Sequence, residues 1–583
     1  MKPGEKRRPR TTTGPTRQGA LLGVLAVCAA GMAAAAFWPA LSAQAYSFDD
    51  MQYFRENRLV RHPSWESAKV ALCEVLEPST VRGYYQPLTM ISLMLDVALG
   101  ARPGELYVLH RTALLLHAVN TALVAVLLYR LFGRAWPAAL VALLFGVHPM
   151  WTESVPWLAE RKTLLATLFS LCSLLLYVRY ASRRGWKSYS GCLVLYALAL
   201  MSKPTGVPLP ALMLLLDFWP LRRLSVRSVV EKAPFLLVGV ASAVITVISQ
   251  GRSGEVTMPD EYSRWWIPLT LCHNVVFYPR MFLWPAGVTW FYPSPDPMAL
   301  SSIAVLTGVV GTGLLVVGLA ISLRWTRALA TGWLFFFTAV FPSMGVIGFT
   351  FSIAANRFLY LPCLGFLMIA AWGLTRAWGG GSVMRRAVLA MVVLGVAAAE
   401  ATATRRYLTY WSDTETLYRY MLRRAPSSYW LSNGLADALA ERGRSDEAVE
   451  WYQKALKLWP DYPHAHNNLS AEMIARGRLD EAIEHASVAA RLMPRMAKAH
   501  YNLGTALLMK GRVEDAIGPL RESLKRNRYS ADAHSNLGVC LFKQGKLDEA
   551  IQEYQEALRI DPAHANAQDN LKIALADRGA ERR

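Results

Sequence analysis

Cysteine and acidic residues are both scarce in this chain. It has 7 cysteines among 583 residues, and they are scattered, mostly within apolar runs, without the spacing of a metal site or a disulfide framework. Cysteines placed in this way are typical of small buried hydrophobic residues. Asp and Glu together number 42 against 62 Lys and Arg, and no dense acidic cluster is present. We therefore predict neither a metal ion nor a cofactor.

The acidic deficit leaves a net charge of +20, which could indicate a nucleic-acid partner. No DNA- or RNA-binding motif accompanies the charge, however. The basic residues cluster in the N-terminal tail and between apolar runs: Lys6, Arg7, Arg8 and Arg10; Arg183, Arg184 and Lys187; Arg222, Arg223 and Arg227; Arg324 and Arg327; Arg376, Arg385 and Arg386. This pattern follows the positive-inside rule, so it indicates a lipid bilayer as partner and no nucleic acid.

Hydrophobic residues make up 53% of the chain, and they are unevenly distributed. Long apolar runs alternate with short polar loops up to about residue 404, and no later run could span a membrane. We predict an all-α protein with a basic cytoplasmic tail at 1–19 and a polytopic transmembrane helix bundle at 20–404. A linker helix at 405–426 and a soluble domain at 427–583 follow.

Eleven apolar runs are predicted to cross the membrane, which places the N-terminus inside and the C-terminal domain outside. They lie near 20–41, 106–131, 135–149, 163–181, 188–203, 205–221, 233–250, 301–323, 328–348, 358–377 and 386–404. The first run, roughly 20–41, also resembles a signal peptide, but it is long for one and an uncleaved anchor is favoured. A further run at 266–284 contains polar residues and prolines. Counting it as a span would move later basic clusters outside, so we interpret it as a re-entrant or interfacial segment.

The predicted outer side collects charged loops. The pair Asp49 and Asp50 follows the first apolar run in "YSFDDMQYF". Later outer loops read "HPMWTESVPWLAERK" at 148–162, "SKPTG" around Lys203 and "AANRFLYLP" around Arg357. Carboxylates in one loop, joined by basic residues from other loops, indicate an assembled site.

Internal repetition is the most pronounced pattern in the sequence. Glycines recur every 34 residues, each with an alanine five positions later: Gly443, Gly477, Gly511 and Gly545, with Ala448, Ala482, Ala516 and Ala550. Small residues allow two antiparallel helices to pack closely where they cross, and the pattern resembles the tetratricopeptide repeat. We predict an α-solenoid of four repeats over about 427–562 and a capping helix at 563–577. Ser412 and Glu415 resemble a capping box that starts a leading helix.

Asparagines form a second column with the same 34-residue period: Asn468, Asn502, Asn536 and Asn570, with Gly434 in the first repeat. The position faces the concave groove of such a solenoid, where an amide can donate to and accept from any peptide backbone. The column resembles the asparagine ladder of the nucleocytoplasmic O-GlcNAc transferase, and it indicates an extended protein acceptor as partner. The alternative is that these amides only satisfy local backbone groups. A histidine column is explained by helix packing and is spaced too widely for one metal ion: His466, His500 and His534.

The order of these motifs resembles that of the transmembrane and tetratricopeptide-repeat protein O-mannosyltransferases and their bacterial relatives, over nearly the whole chain. The resemblance implies a GT-C glycosyltransferase fold. It also implies inverting transfer of a sugar from a polyprenyl-phosphate-linked donor to Ser or Thr of proteins on the non-cytoplasmic face. Mannose is the family's best-known sugar, but the sugar and the acceptor proteins stay open. Composition favours a bacterium, and therefore the inner membrane with the catalytic loops and repeats on the periplasmic side.

The resemblance also implies roles for individual residues. Asp49 or Asp50 would be the general base that an acceptor hydroxyl needs, and Glu153 is a further catalytic candidate. The donor's phosphate needs cationic partners, with Arg357 the first candidate; the full set is Arg357, Arg161, Lys162 and Lys203. Gln86, in "YYQPL", stands where relatives often carry Arg. The alternatives are capping carboxylates and cations that extend toward the membrane surface.

Two other functions stay open. The first is a polyprenyl-linked glycosyltransferase that acts on a lipid or glycan acceptor, which would have little need of the asparagine column. The second is a non-enzymatic, membrane-anchored repeat scaffold, in which replacing both Asp49 and Asp50 has no effect.

Overall fold

The computed structural model describes residues 15–46, 49–76, 81, 84–102, 104–253, 266–295, 297–344 and 353–581. Most of the basic tail predicted at 1–19 therefore lies outside the described residues. The described residues form helices, and the β-structure found among them is an isolated bridge between Arg102 and Glu105. The chain divides into two compact units, Met1–Leu417 and Tyr418–Arg583. The predicted all-α class is confirmed.

Helices of ten or more residues in the first unit are numbered here in chain order. They are α1 (Pro15–Phe37), α2 (Pro87–Ala98), α3 (Tyr107–Phe132), α4 (Ala135–Val147), α5 (Arg161–Arg183), α6 (Trp186–Ser202), α7 (Leu209–Phe218), α8 (Ala233–Ser253), α9 (Trp266–Leu283), α10 (Ile303–Ser322), α11 (Ala328–Val340), α12 (Leu364–Gly379) and α13 (Val383–Leu408). Short helical turns connect several of them.

Seven helical segments in the described part of the chain are long and apolar enough to cross a membrane: Arg17–Ser42, Tyr107–Phe132, Ala135–Thr152, Leu158–Arg183, Val226–Gln250, Ile303–Ser322 and Val383–Trp411. They coincide with predicted spans and indicate a membrane protein. The other predicted spans form α6, α7, α11 and α12, which are shorter than the roughly 20 residues that a bilayer requires. Pro208 precedes α7 and Pro342 follows α11, and proline cannot donate the hydrogen bond that a longer helix needs. Length alone therefore supports seven of the predicted spans.

The run at 266–284 forms one continuous helix, α9, with Pro279 inside it. At 1.5 Å per residue this helix is about 27 Å long. It packs against α10 most closely at Gly308, where a Cβ atom would lie 2.7 Å from the Cα of His273. Glycine permits this approach of two apolar helices. The segment thus lacks the break that a re-entrant loop requires.

Helices α1, α3, α4 and α5 share the hydrophobic core of the first unit. The imidazole of His117 on α3 lies within this core. It contacts the backbone carbonyl of Gly146 on α4 at 2.8 Å and the hydroxyl of Tyr360 at 2.6 Å. Buried polar groups need such partners. The contact ties the segment that carries Arg357 to the centre of the bundle.

The second unit contains four antiparallel helix pairs and a last helix. These are α14 (Tyr429–Glu441), α15 (Ser445–Leu458), α16 (Pro463–Ala475), α17 (Leu479–Leu492), α18 (Ala497–Met509), α19 (Val513–Arg526), α20 (Ala531–Lys543), α21 (Leu547–Ile560) and α22 (Ala565–Glu581). The alanines of the repeat are fully buried, as close helix packing requires: Ala448, Ala482, Ala516 and Ala550.

The repeat glycines have a different role from the predicted one. They lie in the turn between paired helices with φ of +74°, +69°, +82° and +75°: Gly443, Gly477, Gly511 and Gly545. Apart from the glycine itself and its two chain neighbours, no described atom lies within 4 Å of a Cβ built on any of them. The left-handed backbone of the turn, and not a tight helix crossing, therefore requires glycine here.

Two further details of the sequence analysis are settled by hydrogen bonds. The proposed capping box is wrong, because the helix Thr414–Leu422 is capped by Asp413, whose Oδ1 accepts from the backbone N–H of Thr416 at 3.1 Å. Each histidine of the histidine column donates its Nε2–H to the carbonyl six residues earlier. The donor–acceptor distances for His466 to Pro460, His500 to Pro494 and His534 to Arg528 are 2.9, 2.9 and 3.2 Å. The histidines therefore close the turns between repeats.

Candidate functional site

The charged residues of the loops predicted to lie outside are found at helix ends that meet in the first unit. Asp49 and Asp50 precede the helical turn Met51–Arg55, and Glu153 follows the turn Pro149–Thr152. Glu160 and Lys162 lie at the start of α5, Lys203 follows α6, and Arg357 lies in the turn Asn356–Leu359. Each stands where an apolar helix gives way to a polar loop, so these helix ends assemble one charged cluster.

The two adjacent aspartates differ in their surroundings. Asp50 is fully buried, and its Oδ1 accepts a hydrogen bond from the backbone N–H of Ala159 at 2.9 Å. The Asp49 side chain is 45% exposed, and its Oδ2 lies 3.4 Å from the Nζ of Lys162. Asp50 therefore joins two loops, whereas Asp49 retains an accessible carboxylate that a ligand could reach.

Lys162 continues a chain of polar contacts away from Asp49. Its Nζ donates to the hydroxyl of Tyr53 at 3.1 Å and lies 4.6 Å from the centre of that ring. Tyr53 in turn donates to Oε1 of Gln86 at 2.9 Å. Burial raises the pKa of the Tyr53 phenol, so this hydroxyl stays protonated. Gln86 thus serves as the acceptor of this hydroxyl.

Glu160 contacts three cations. Its Oε2 lies 3.3 Å from the Nζ of Lys203, and its Oε1 lies 3.5 Å from Nε of Arg357 and 3.8 Å from Nζ of Lys162. Thr163 donates its hydroxyl to the same carboxylate and accepts from Lys203 at 2.7 Å. The Glu160 side chain is only 1% exposed, so these contacts replace water around a buried charge.

Glu153 holds Arg357 from the other side. One carboxylate oxygen contacts the guanidinium and the other accepts the backbone N–H of Arg357 at 3.2 Å. The guanidinium also lies 5.0 Å from the ring of Trp157 and 4.9 Å from that of Phe358. Burial disfavours the charge of Arg357, but the carboxylates of Glu153 and Glu160 raise its pKa, so it stays a cation. Both oxygens of Glu153 contact Arg357, so Glu153 is placed to orient that residue. Burial raises the pKa of its carboxyl to about 7, although Arg357 opposes the shift, and its predicted catalytic role stays a prediction.

Arg161 does not join this cluster, although the sequence placed it among the phosphate-binding candidates. Its guanidinium is buried against Asp96 at 2.8 Å. It also donates to the hydroxyl of Ser92 at 2.9 Å and to the carbonyl of Leu109 at 2.7 Å. Arg161 therefore ties α5 to α2 and α3, and these contacts do not support its predicted role at the donor phosphate.

The asparagine column of the second unit is engaged between repeats. Asn468 donates to Asp437 at 2.8 Å, and Asn502 donates to Oδ1 of Asn467 at 3.0 Å. Asn536 donates to the hydroxyl of Thr505 at 3.0 Å. These three amides thus join the first helices of successive repeats, largely through side-chain acceptors and not through the local backbone groups of the alternative. The peptide-binding role stays a prediction.

The two ends of the asparagine column differ from its middle. Asn570 lies half-buried on the last helix, α22. In the first repeat, a side chain at Gly434 would collide with the ring of Tyr418, which explains the glycine.

Three residues of the cluster were not predicted from the sequence: Glu160, Thr163 and Tyr53. Glu160 stands directly before two predicted cations in "LAERKT", so a carboxylate next to Arg161 and Lys162 was a usable signal. Tyr53 lies one helical turn after Asp49 and could have been found from that spacing.

Family comparisons identify the repeats of the second unit. A model described as "Tetratricopeptide repeat" matches residues 531–564, another with that description matches 474–531, and a "TPR repeat" model matches 436–471. The predicted tetratricopeptide solenoid is confirmed.

Curated relatives extend the similarity to the first unit. Protein O-mannosyl-transferase TMTC4 of Homo sapiens is 25% identical over 479 residues, which are 70% of this chain and 63% of that protein. Protein O-mannosyl-transferase TMTC1 of Homo sapiens is 24% identical over 65% of this chain and 48% of its own length. Protein O-mannosyl-transferase tmtc2 of Xenopus laevis is 30% identical over 25% of this chain, and this chain spans 18% of it. The chain thus covers less than two thirds of these relatives. The predicted resemblance is confirmed as a distant one.

Two solved structures are also similar. "YrrB: a TPR protein with an unusual peptide-binding site" is 23% identical, with 28% of this chain and 84% of that chain covered and a TM-score of 0.26. "MamA" is 28% identical, with 25% of this chain and 85% of that chain covered and a TM-score of 0.24.

Proposed function

We propose that the protein is a membrane glycosyltransferase of the inverting GT-C type. It transfers a sugar, with mannose the first candidate, from a polyprenyl-phosphate donor to Ser or Thr hydroxyls of an extended protein. The observation that carries the proposal is the exposed Asp49 carboxylate 3.4 Å from Lys162, at the edge of a cluster that also holds Lys203 and Arg357. The similarity to protein O-mannosyl-transferases supports a protein acceptor.

Asp49 is the proposed general base. The acceptor oxygen attacks the anomeric carbon of the donor sugar, and the bond from that carbon to the phosphate oxygen breaks. The hydroxyl proton moves to the Asp49 carboxylate, because an alcohol is barely acidic at neutral pH. A single displacement inverts the anomeric centre. Asp50, bound to the backbone of Ala159, positions the loop that carries the base.

Lys162, Lys203 and Arg357 are the proposed partners of the phosphate. Negative charge grows on the phosphate oxygen as the sugar departs, and fixed cations in a site of low water content stabilise it strongly. The helix ends that carry them adjoin apolar segments, which suits a donor whose polyprenyl chain stays in the bilayer. Arg161 has no part in this step, since it is paired with Asp96.

The repeats are the proposed binding site for the acceptor polypeptide, through the groove that carries Asn468, Asn502, Asn536 and Asn570. On this proposal the enzyme lies in the inner membrane with its catalytic loops and its repeats on the periplasmic side. A lipid or glycan acceptor is the second candidate. The amide donors of Asn468, Asn502 and Asn536 already serve neighbouring repeats, so the column does not by itself demand a peptide.

The test compares three forms of the full-length protein, the wild type, D49N and E66Q. Glu66 is an exposed carboxylate in the same outer segment and serves as the matched control. Intact-mass spectrometry of envelope proteins is expected to show a hexose increment with the wild type and E66Q and none with D49N. An increment that persists in D49N contradicts the role of Asp49. Hexose found on a lipid or glycan instead supports the second candidate, and no transfer in any form supports a scaffold.

A further inference from the structure

Glu160 is the carboxylate through which the cations of the cluster are connected. Among the described residues, Asp49 pairs with Lys162 and Glu153 pairs with Arg357, whereas Glu160 contacts Lys162, Lys203 and Arg357 within 3.8 Å. Its place is fixed by the start of α5, where it stands at the N-cap, and by the hydroxyl of Thr163. A negative charge is also favoured at a helix N-terminus.

Three cations gathered this closely need an anion between them. Like charges repel strongly where water is excluded, and a buried charge without a partner costs several kcal/mol. Glu160 neutralises one of the three positive charges and contacts all three cations, whereas Asp49 and Glu153 each contact one of them. A phosphate can therefore enter a site whose cations are already in place.

We infer that Glu160 is a positioning residue for the donor, which holds Lys162, Lys203 and Arg357 in one charged, preassembled group that receives the phosphate. This inference rests on the proposed function. Glu160 does not itself touch the reacting atoms, because its oxygens are occupied by the three cations and Thr163.

Lys203 is the member of the group that depends most on Glu160. The pKa of Lys203 is lowered to about 8, chiefly by burial and also by the charges of Lys162 and Arg357, while the charge of Glu160 opposes this shift. The hydroxyl of Thr163 and the ring of Phe358 complete its surroundings. Removing the charge of Glu160 therefore moves the pKa of Lys203 further down. The cation is then lost at a lower pH.

The experiment uses the full-length protein in lipid nanodiscs in four forms: wild type, E160Q, E160D and E160Q/K203M. E160Q keeps an oxygen acceptor but removes the charge, so its thermal midpoint is expected to fall below that of the wild type. The thermal midpoint of E160D is expected to fall less than that of E160Q, because the carboxylate charge is kept. The double variant has one cation fewer, and its midpoint is expected to recover toward that of the wild type. A double variant no more stable than E160Q overturns the inference.

The kinetic arm uses polyprenyl-phosphate mannose as the donor. E160Q is expected to raise the donor KM about tenfold and to shift the alkaline limb of the pH–rate profile to lower pH. The E160Q/K203M variant is expected to recover stability but not the donor KM. An unchanged KM and pH profile in E160Q contradict the positioning role. If the wild type itself transfers no sugar, the proposed function fails, and the role toward the donor fails with it, whereas the stability pattern still decides whether Glu160 holds the cations.

Discussion

Glu153 and Arg357 are joined at two points although 204 residues separate them: Oε2 of Glu153 accepts the backbone N–H of Arg357 at 3.2 Å, and Oε1 contacts the guanidinium. The backbone contact fixes the turn Asn356–Leu359, and the side-chain contact fixes the direction of the guanidinium. Both oxygens of this carboxylate are thus directed at Arg357, whereas Asp49 is 45% exposed. The pair supports a positioning role for Glu153 and the proposal that Asp49 is the base.

Replacing Arg357 by lysine is expected to lower kcat/KM for the donor by about 100-fold. An ammonium group cannot contact Glu153, Glu160 and a phosphate with the fixed geometry of a guanidinium, and each charged hydrogen bond lost costs about 1.5–3 kcal/mol. E153Q keeps one acceptor oxygen, and its kcat/KM for the donor is expected to fall about tenfold. Steady-state kinetics with varied donor measure both variants. An R357K enzyme with wild-type donor kinetics would remove Arg357 from the phosphate site.

The two aspartates are expected to respond differently to the same change. D49N removes the base and is expected to lower kcat by about 10²–10⁴-fold. D50N keeps an oxygen that can accept the backbone N–H of Ala159 and is expected to retain most of the activity. D50A, which leaves that N–H unpaired, is expected to lower the thermal midpoint. Single-turnover rates and thermal unfolding check these outcomes, and an active D49N with an inactive D50N would reverse the two assignments.

Arg161 is expected to affect stability and not donor affinity. R161M leaves the buried Asp96 without its cation, which is expected to cost about 3–5 kcal/mol. The double variant R161M/D96L removes both charges and is expected to recover much of this loss. Thermal unfolding in detergent measures the stability, and the donor KM of the remaining folded enzyme is expected to match the wild type. A raised donor KM would place Arg161 back in the phosphate site.

Substitutions at Asn502 and Asn570 distinguish a structural role of the asparagine column from a peptide-binding role. N502A leaves Oδ1 of Asn467 without its donor, while the carbonyl of Asn467 still accepts the hydroxyl of Ser470. The change is expected to cost about 1–3 kcal/mol and to speed amide hydrogen exchange in α16 and α18. Asn570 is half-buried on the last helix, so N570A is expected to change amide hydrogen exchange little. If the column binds peptide, N570A weakens the binding of a Ser/Thr-rich peptide while exchange stays at the wild-type rate. Unchanged peptide affinity in N570A would leave this asparagine without a ligand role.

The sequence predicted most of the members of the charged cluster but not their connections. Arg161 and Lys162 are consecutive on the first turn of α5, and consecutive helical residues point about 100° apart. They therefore meet different neighbours, Asp96 for Arg161 and the Asp49–Glu160 pair for Lys162. No linear pattern shows which of two adjacent cations turns toward a site, because this depends on the helices that pack around them.

The repeats show the same division. The 34-residue period, the buried alanines and the asparagine column were all evident in the sequence. The reason for the glycines was not evident in the sequence. A close helix crossing and a positive φ in a turn both favour glycine, so the residue alone does not tell which applies. The backbone angle of Gly477, +69°, distinguishes the two.

The sequence by itself determined an apolar helical region with charged residues at its helix ends and a solenoid of 34-residue repeats, because hydrophobic runs and short-range periodicity are local properties of the chain. Only the tertiary structure decided that Glu160 lies between Lys162, Lys203 and Arg357, that Glu153 holds Arg357, and that Asp49 is accessible while Asp50 is not. These facts depend on contacts between segments up to 204 residues apart, and burial and charge at such contacts arise from packing.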